Sequence, residues 1–184
     1  MRSLIVLIII IVFSSCEDAV VVKPNAALRL EYPAATYRDI GIPCPYSFEM
    51  NKEASLVLKN NCWLNLEYPG MNATIYLSYR EVKNNNLDSL LYDAQKLTYD
   101  HTIKAVDIPE KLFVNPDNGV YGMLYSINGD AATQAQFYAT DSLKHFVTGS
   151  LYFKTKPNFD SIYPAAVYLR NDIRHLMETL SWSE

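Results

Sequence analysis

Asp141, Ser142 and His145 are the residue types of a hydrolytic triad, in which a base takes the proton of a hydroxyl nucleophile and a carboxylate orients the base. Triads draw their members from separate elements, so that each side chain has its own geometry. Here all three fall in one turn-like segment, where Asp and Ser more simply close a turn. The other histidines, His101 and His175, stand beside apolar positions of helical stretches. His175 and Glu178 are three apart and could share a ligand, but one pair does not make a metal site, and no His-Glu-x-x-His spacing occurs. No Gly-x-Ser-x-Gly, phosphate loop or Gly-x-Gly-x-x-Gly is present either. No catalytic residue, metal or cofactor is therefore expected.

The cysteines carry a different chemistry. Cys16 ends Phe13-Ser14-Ser15-Cys16, which resembles the bacterial lipobox with Phe13 in place of the more usual leucine. A positive start at Arg2 precedes it, followed by the apolar run Leu4 to Phe13. That run has the length of an export signal and falls short of the roughly 20 residues a bilayer-spanning helix needs. Residues 1–15 are thus expected to be a lipoprotein signal peptide, with Cys16 acylated as the new first residue. More than one acyl chain gives stable anchoring, at about 0.8 kcal/mol per buried methylene. With Cys16 used, Cys44 and Cys62 remain. In an oxidising compartment they form either a disulfide or a pair of buried thiols.

Losing residues 1–15 leaves 169 residues and moves the formal charge from −4 to −5, because Arg2 goes and no acid does. That length suits one domain. Mild acidity gives no electrostatic case for nucleic acid, and no small-molecule substrate is identified. The 14 tyrosines suit a sheet-rich protein, and with Trp63 they could line a glycan-binding surface.

Residues 16–25 read as the acylated cysteine and a tether that reaches some 30 Å at most, at about 3.3–3.6 Å per residue. Residues 26–184 read as a single globular domain. Alternation of apolar and polar residues predicts strands over 28–32, 46–50, 54–59, 62–68 and 74–82, with 34–45 as loop and a tight turn at Asn60-Asn61. The period then changes. Leu87, Leu90, Leu91, Ala94 and Leu97 form one helical face, with Asn86 as N-cap and the helix carried to about Ile103. Strands follow over 112–115, 120–128, 135–140 and 145–154, where Pro157 ends the run. A second helix over 161–182 puts Ile162, Ala165, Ala166, Leu169, Ile173, Leu176, Met177 and Leu180 on one face, with Pro164 in its first turn. The fold class is α+β: an antiparallel sheet with one long central helix and one C-terminal helix packed on it. That order is similar to the Mog1/PsbP-like α/β/α sandwich.

The segments Asn61-Cys62-Trp63-Leu64-Asn65, Asp93-Ala94-Gln95-Lys96-Leu97-Thr98-Tyr99, Tyr121-Gly122-Met123-Leu124-Tyr125 and His145-Phe146-Val147-Thr148-Gly149-Ser150-Leu151-Tyr152-Phe153 resemble the GldD family. The ending Asp172 to Leu180 does too. These are gliding-motility lipoproteins of Bacteroidota. The resemblance implies a non-enzymatic component of the gliding machinery, linked to type IX secretion. It also implies a lipid bilayer as partner through Cys16, together with other gliding and secretion proteins. The domain would face the periplasm from either the inner or the outer membrane. The alternative is a periplasmic cell-wall glycan-binding protein or hydrolase.

Overall fold

The structure, a computed structural model, describes residues 30–156 and 158–183. The export run, Cys16, the tether and Pro157 lie outside the described residues. Within them the chain runs β1 (Tyr37–Asp39), β2 (Tyr46–Ser47), β3 (Glu49–Asn51), β4 (Ser55–Leu58), β5 (Leu64–Tyr68), β6 (Ala73–Glu81), α1 (Leu87–Tyr99), β7 (Ala105–Asp107), β8 (Glu110–Asn115), β9 (Val120–Ser126), β10 (Asn128–Gly129), β11 (Thr133–Thr140), β12 (His145–Phe153), α2 (Phe159–Thr179) and β13 (Ser181–Trp182). This is the expected α+β class.

Seven strands form one antiparallel sheet in the order β4-β5-β6-β12-β11-β9-β8. It consists of two meanders, β4-β5-β6 and β8-β9-β11-β12, sealed where β6 pairs with β12 over nine residues from His145↔Glu81 to Phe153↔Ala73. Between the meanders α1 carries the chain from β6 to the far edge.

Side-chain alternation assigns a helix to each face. Along β11, Ala135, Phe137 and Ala139 join Leu169, Ile173, Leu176 and Met177 of α2 in the main core, with Ile75 and Leu77 of β6 and Leu64 and Leu66 of β5. Gln136, between Ala135 and Phe137, points the other way, where its Oε1 accepts from the Thr98 hydroxyl of α1 at 2.7 Å. The result is a helix–sheet–helix sandwich with unequal layers. The inner face of α2 is fully buried at Ala166, Leu169, Ile173 and Met177, and each large apolar side chain there contributes about 1.5–3 kcal/mol. In α1 the one fully buried residue is Thr98, and Leu97 remains 49% exposed.

Gly149 of β12 faces Phe137 of β11, and a Cβ there would overlap the Phe137 ring. The aromatic ring occupies the space that the missing side chain leaves.

Several local expectations are corrected. Residues 30–32 form no strand, whereas 37–39, inside the expected loop, pair with β3. Asn86 does not cap α1 with its side chain. Its Oδ1 accepts from Lys83 N and its Nδ2 donates to the Glu81 carbonyl, so it closes the preceding turn instead. The α-helical part of α1 stops at Tyr99 and continues as a 3₁₀ turn over Asp100–Ile103. Helix α2 begins two residues earlier than expected because Asn158 caps it, accepting from Ser161 N. Pro164 therefore lies inside the helix rather than in its first turn, and has no N–H to give to the carbonyl of Asp160. The helix also ends at Thr179, and Ser181 and Trp182 pair with β2 instead of extending it. The tight turn expected at Asn60-Asn61 is present, as a 3₁₀ turn over Asn60–Cys62 with Asn61 at φ 58°.

Candidate functional site

The turn holding Asp141, Ser142 and His145 joins β11 to β12. Asp141 Oδ1 accepts from the backbone N–H groups of Leu143 (2.9 Å), Lys144 (2.9 Å) and His145 (2.8 Å). Burial pushes the Asp141 carboxyl up, but these donors outweigh it and hold the group below its ordinary value. Ser142 has φ 65°, and its N–H donates to the Thr140 hydroxyl at 2.9 Å. His145 directs its ring elsewhere: Nδ1 is hydrogen-bonded to the Tyr79 hydroxyl at 2.9 Å, and the imidazole stacks on Trp182 with centroids 5.2 Å apart. Burial lowers its pKa. The carboxylate therefore serves the backbone, the imidazole ties a strand to the C-terminal segment, and the three residues act as a turn.

A second polar cluster was missed by sequence reading. Asp172, on the inner face of α2 and 5% exposed, accepts from the Tyr37 hydroxyl at Oδ1 (2.8 Å) and from Asn51 Nδ2 at Oδ2 (2.8 Å). Asn51 Nδ2 also donates to the Tyr168 hydroxyl at 2.9 Å, and its Oδ1 accepts from Glu53 N. Tyr68 lies near the same carboxylate, and burial, with the carboxylate's charge, raises the Tyr68 pKa. Burial raises the Asp172 pKa against these donors, and both burial and the carboxylate raise that of Tyr37. Beside it the Tyr37 ring stacks on His175, centroids 3.6 Å apart, and His175 Nε2 lies 2.7 Å from Glu49 Oε2. His175 thus meets a carboxylate of β3 rather than pairing with Glu178 as a ligand. The cluster fastens β1 and β3 to α2. Its carboxylate is engaged at both oxygens by protein donors, which is the arrangement of a satisfied structural group. The signal was available: Leu169, Asp172, Ile173 and Leu176 follow helical spacing, so an acid had to lie on the buried face.

His101 sits half-buried at the end of α1, with Nε2 3.3 Å from Gln136 Nε2 and its pKa lowered by burial. Among the described residues no group of three or more His, Cys, Asp or Glu is arranged to hold a metal. Cys44 and Cys62 are joined as a disulfide with Cα atoms 5.6 Å apart, and both pack against the main core. Trp63 is 38% exposed, and the Arg80 guanidinium lies over one face of its ring, 5.3 Å from the centroid. A broad open concavity of about 940 Å³ lies at the start of α2 and is bordered by Ile103, Val106, Lys104, Asp130, Lys156 and Asp160. A smaller cleft of about 180 Å³ lies against Tyr32, Glu53, Tyr68 and Met71.

The comparison that decides identity is a family model. The model described as gliding motility lipoprotein GldD matches residues 17–182, beginning directly after Cys16. The chain belongs to the GldD family. The match takes in every described strand and helix, so the whole sandwich is the family's domain. Membership in the GldD family carries an association with gliding motility and a lipid-anchored place in the cell envelope. Among the described residues no helix is long and apolar enough to cross a membrane. No curated protein and no solved structure matches the chain.

Proposed function

We propose that this member of the GldD family is a non-catalytic, lipid-anchored component of the envelope machinery for gliding, working with type IX secretion. The observation that carries the reading is the family match over residues 17–182. In this reading residues 1–15 are the signal peptide, Cys16 is the acylated residue, residues 16–25 are the tether, and 26–184 are one domain facing the periplasm. The polar clusters support a scaffold role. Asp141 and Asp172, the buried or partly buried carboxylates with displaced pKa values, are both occupied by protein donors.

The experiment is Cys16→Ala in the native bacterium, scored by membrane fractionation and colony spreading together. The expected result is loss of both. Full spreading from a protein released from the membrane would sink the anchor. A clean deletion, scored for adhesin at the cell surface, separates the two arms of the role. Lost adhesin puts the protein with secretion, whereas displayed but immobile adhesin puts it with the motor.

A further inference from the structure

The end of the sandwich against which Tyr32, near the start of the described chain, is packed carries two exposed aliphatic side chains. Tyr32, near the first described residue, packs its ring on Tyr168 and borders the cleft formed with Tyr68 and Met71. These last two lie where β5 ends and β6 begins. The same end of the sheet holds the end of β12, where Lys154 N donates to the Asn72 carbonyl, and the end of β9, which leads into β10. Strand β10 pairs with β7, and so fixes the segment from Ile103 to Val106 at this end. Ile103 is 86% exposed and Val106 87%. They are among the most exposed large apolar side chains described. Glycine at 129 is required for this placement: at φ 111° it runs so close to the segment that a Cβ would meet Val106 N.

Lys104 stands between the two aliphatics, and Lys154 and Lys156 follow β12 nearby. Two of the acids of this end are hydrogen-bonded within the protein. Asp107 accepts from Asn128, Asp130 accepts from Phe159 N, and Asp160 sits in the first turn of α2. Two aliphatics flanked by lysines are the pattern of a surface that enters a bilayer interface, with the lysine stems running along apolar surface and their ammonium groups at headgroup level. The 14 residue steps from Cys16 to Leu30 reach about 50 Å at most. The shortest arrangement of an anchored chain therefore turns this end toward the membrane.

We propose that Ile103 and Val106 form a second membrane contact, seating the tether end of the domain on the bilayer that holds the acyl chains. This rests on the lipid-anchored reading. The far end, with Trp63, Trp182 and the 141–145 turn, would then point away from the membrane.

The two native tryptophans give the test its internal reference. Acylated full-length chain carrying Val106→Trp is placed in phosphatidylethanolamine–phosphatidylglycerol vesicles whose acyl chains bear bromine, a tryptophan quencher. Ile103→Trp is prepared in parallel, since both positions are exposed and tolerate the larger ring. The expected result is that the added emission is lost in brominated vesicles and retained in plain ones, while wild-type emission is the same in both. Added emission that survives in brominated vesicles, in protein that floats with them, overturns the contact and leaves the anchor standing. Blue-shifted but unquenched emission overturns it as well, because protein rather than lipid then covers the site. Chain that does not float removes the anchor reading, and this contact with it.

Discussion

Tyr37 and Asp172 stand 135 residues apart in the chain, and the tyrosine hydroxyl donates to the aspartate Oδ1 at 2.8 Å. The bond joins a three-residue strand, too short to hold itself, to the helix that carries the core. Removing the acceptor strands the donors of Tyr37 and Asn51, whereas removing the Tyr37 hydroxyl leaves the carboxylate its bond from Asn51. Asp172→Ala is therefore expected to cost about 3 kcal/mol, and Tyr37→Phe about 1 kcal/mol. Urea unfolding of the two variants checks the order. Equal losses would show that the cluster does not act as a unit.

The same carboxyl has a pH signature. Its pKa is raised in the folded protein by burial, so the native state binds the proton more readily than the unfolded chain. This group's contribution is fully present below the unfolded value of about 3.9 and declines as pH rises through the raised folded value. Asp141 has the opposite sign. Its folded pKa is depressed, so its contribution is present above the unfolded value and is lost as pH falls through the folded one. Stability measured against pH is expected to gain steepness on the acid side in Asp172→Asn, which removes the opposing titration. It is expected to lose steepness in Asp141→Asn, and the reverse pattern would contradict both assignments.

At the β11–β12 turn, Asp141→Ala removes the acceptor of three backbone N–H groups and is expected to cost about 1–2 kcal/mol, in the range of a lost cap. Ser142→Gly is expected to be neutral or slightly stabilising, because φ 65° suits glycine better than serine. Thermal melts of the two variants check this. A hydrolytic triad would instead lose its function equally in both, with stability unchanged.

The large elements were legible because their burial is one-sided or complete over many residues. Helix α2 has a long buried face that is apolar except for Asp172, and β6 and β12 are nine-residue strands with mostly buried inner positions. What escaped is short and held by tertiary contacts. Strands β1, β2 and β13 have two or three residues each, too few to show a period, and they exist because Tyr37 reaches Asp172 and because the chain after Leu180 turns back onto Tyr46. The cap of α1 was misread because Asn86 had a competing use, closing the turn before the helix. The apolar stripe of α1 was read correctly as helical, but its last member, Leu97, remains half-exposed while Thr98 enters the interior to meet Gln136. Hydrophobicity alone ranks these two neighbours the wrong way round, because the Thr98 hydroxyl has a buried partner in Gln136. Of the site chemistry, the turn role of the 141–145 trio was legible from its spacing. The Asp172 cluster draws on three separate elements and required the fold.

Gly149 and Phe137 are matched in shape, and the match has a measurable consequence. A methyl at position 149 would overlap the Phe137 ring, which is 2% exposed and enclosed by the main core. Gly149→Ala is expected to destabilise by about 1–3 kcal/mol, as overpacking does. Phe137→Leu alone should also destabilise, by leaving a void. The double variant should recover part of the loss, because the smaller side chain frees the space the methyl needs. A double-mutant cycle by urea unfolding reads this as a coupling between the two positions. Strict additivity would mean that the glycine is required for the backbone of β12 and not for the ring it faces.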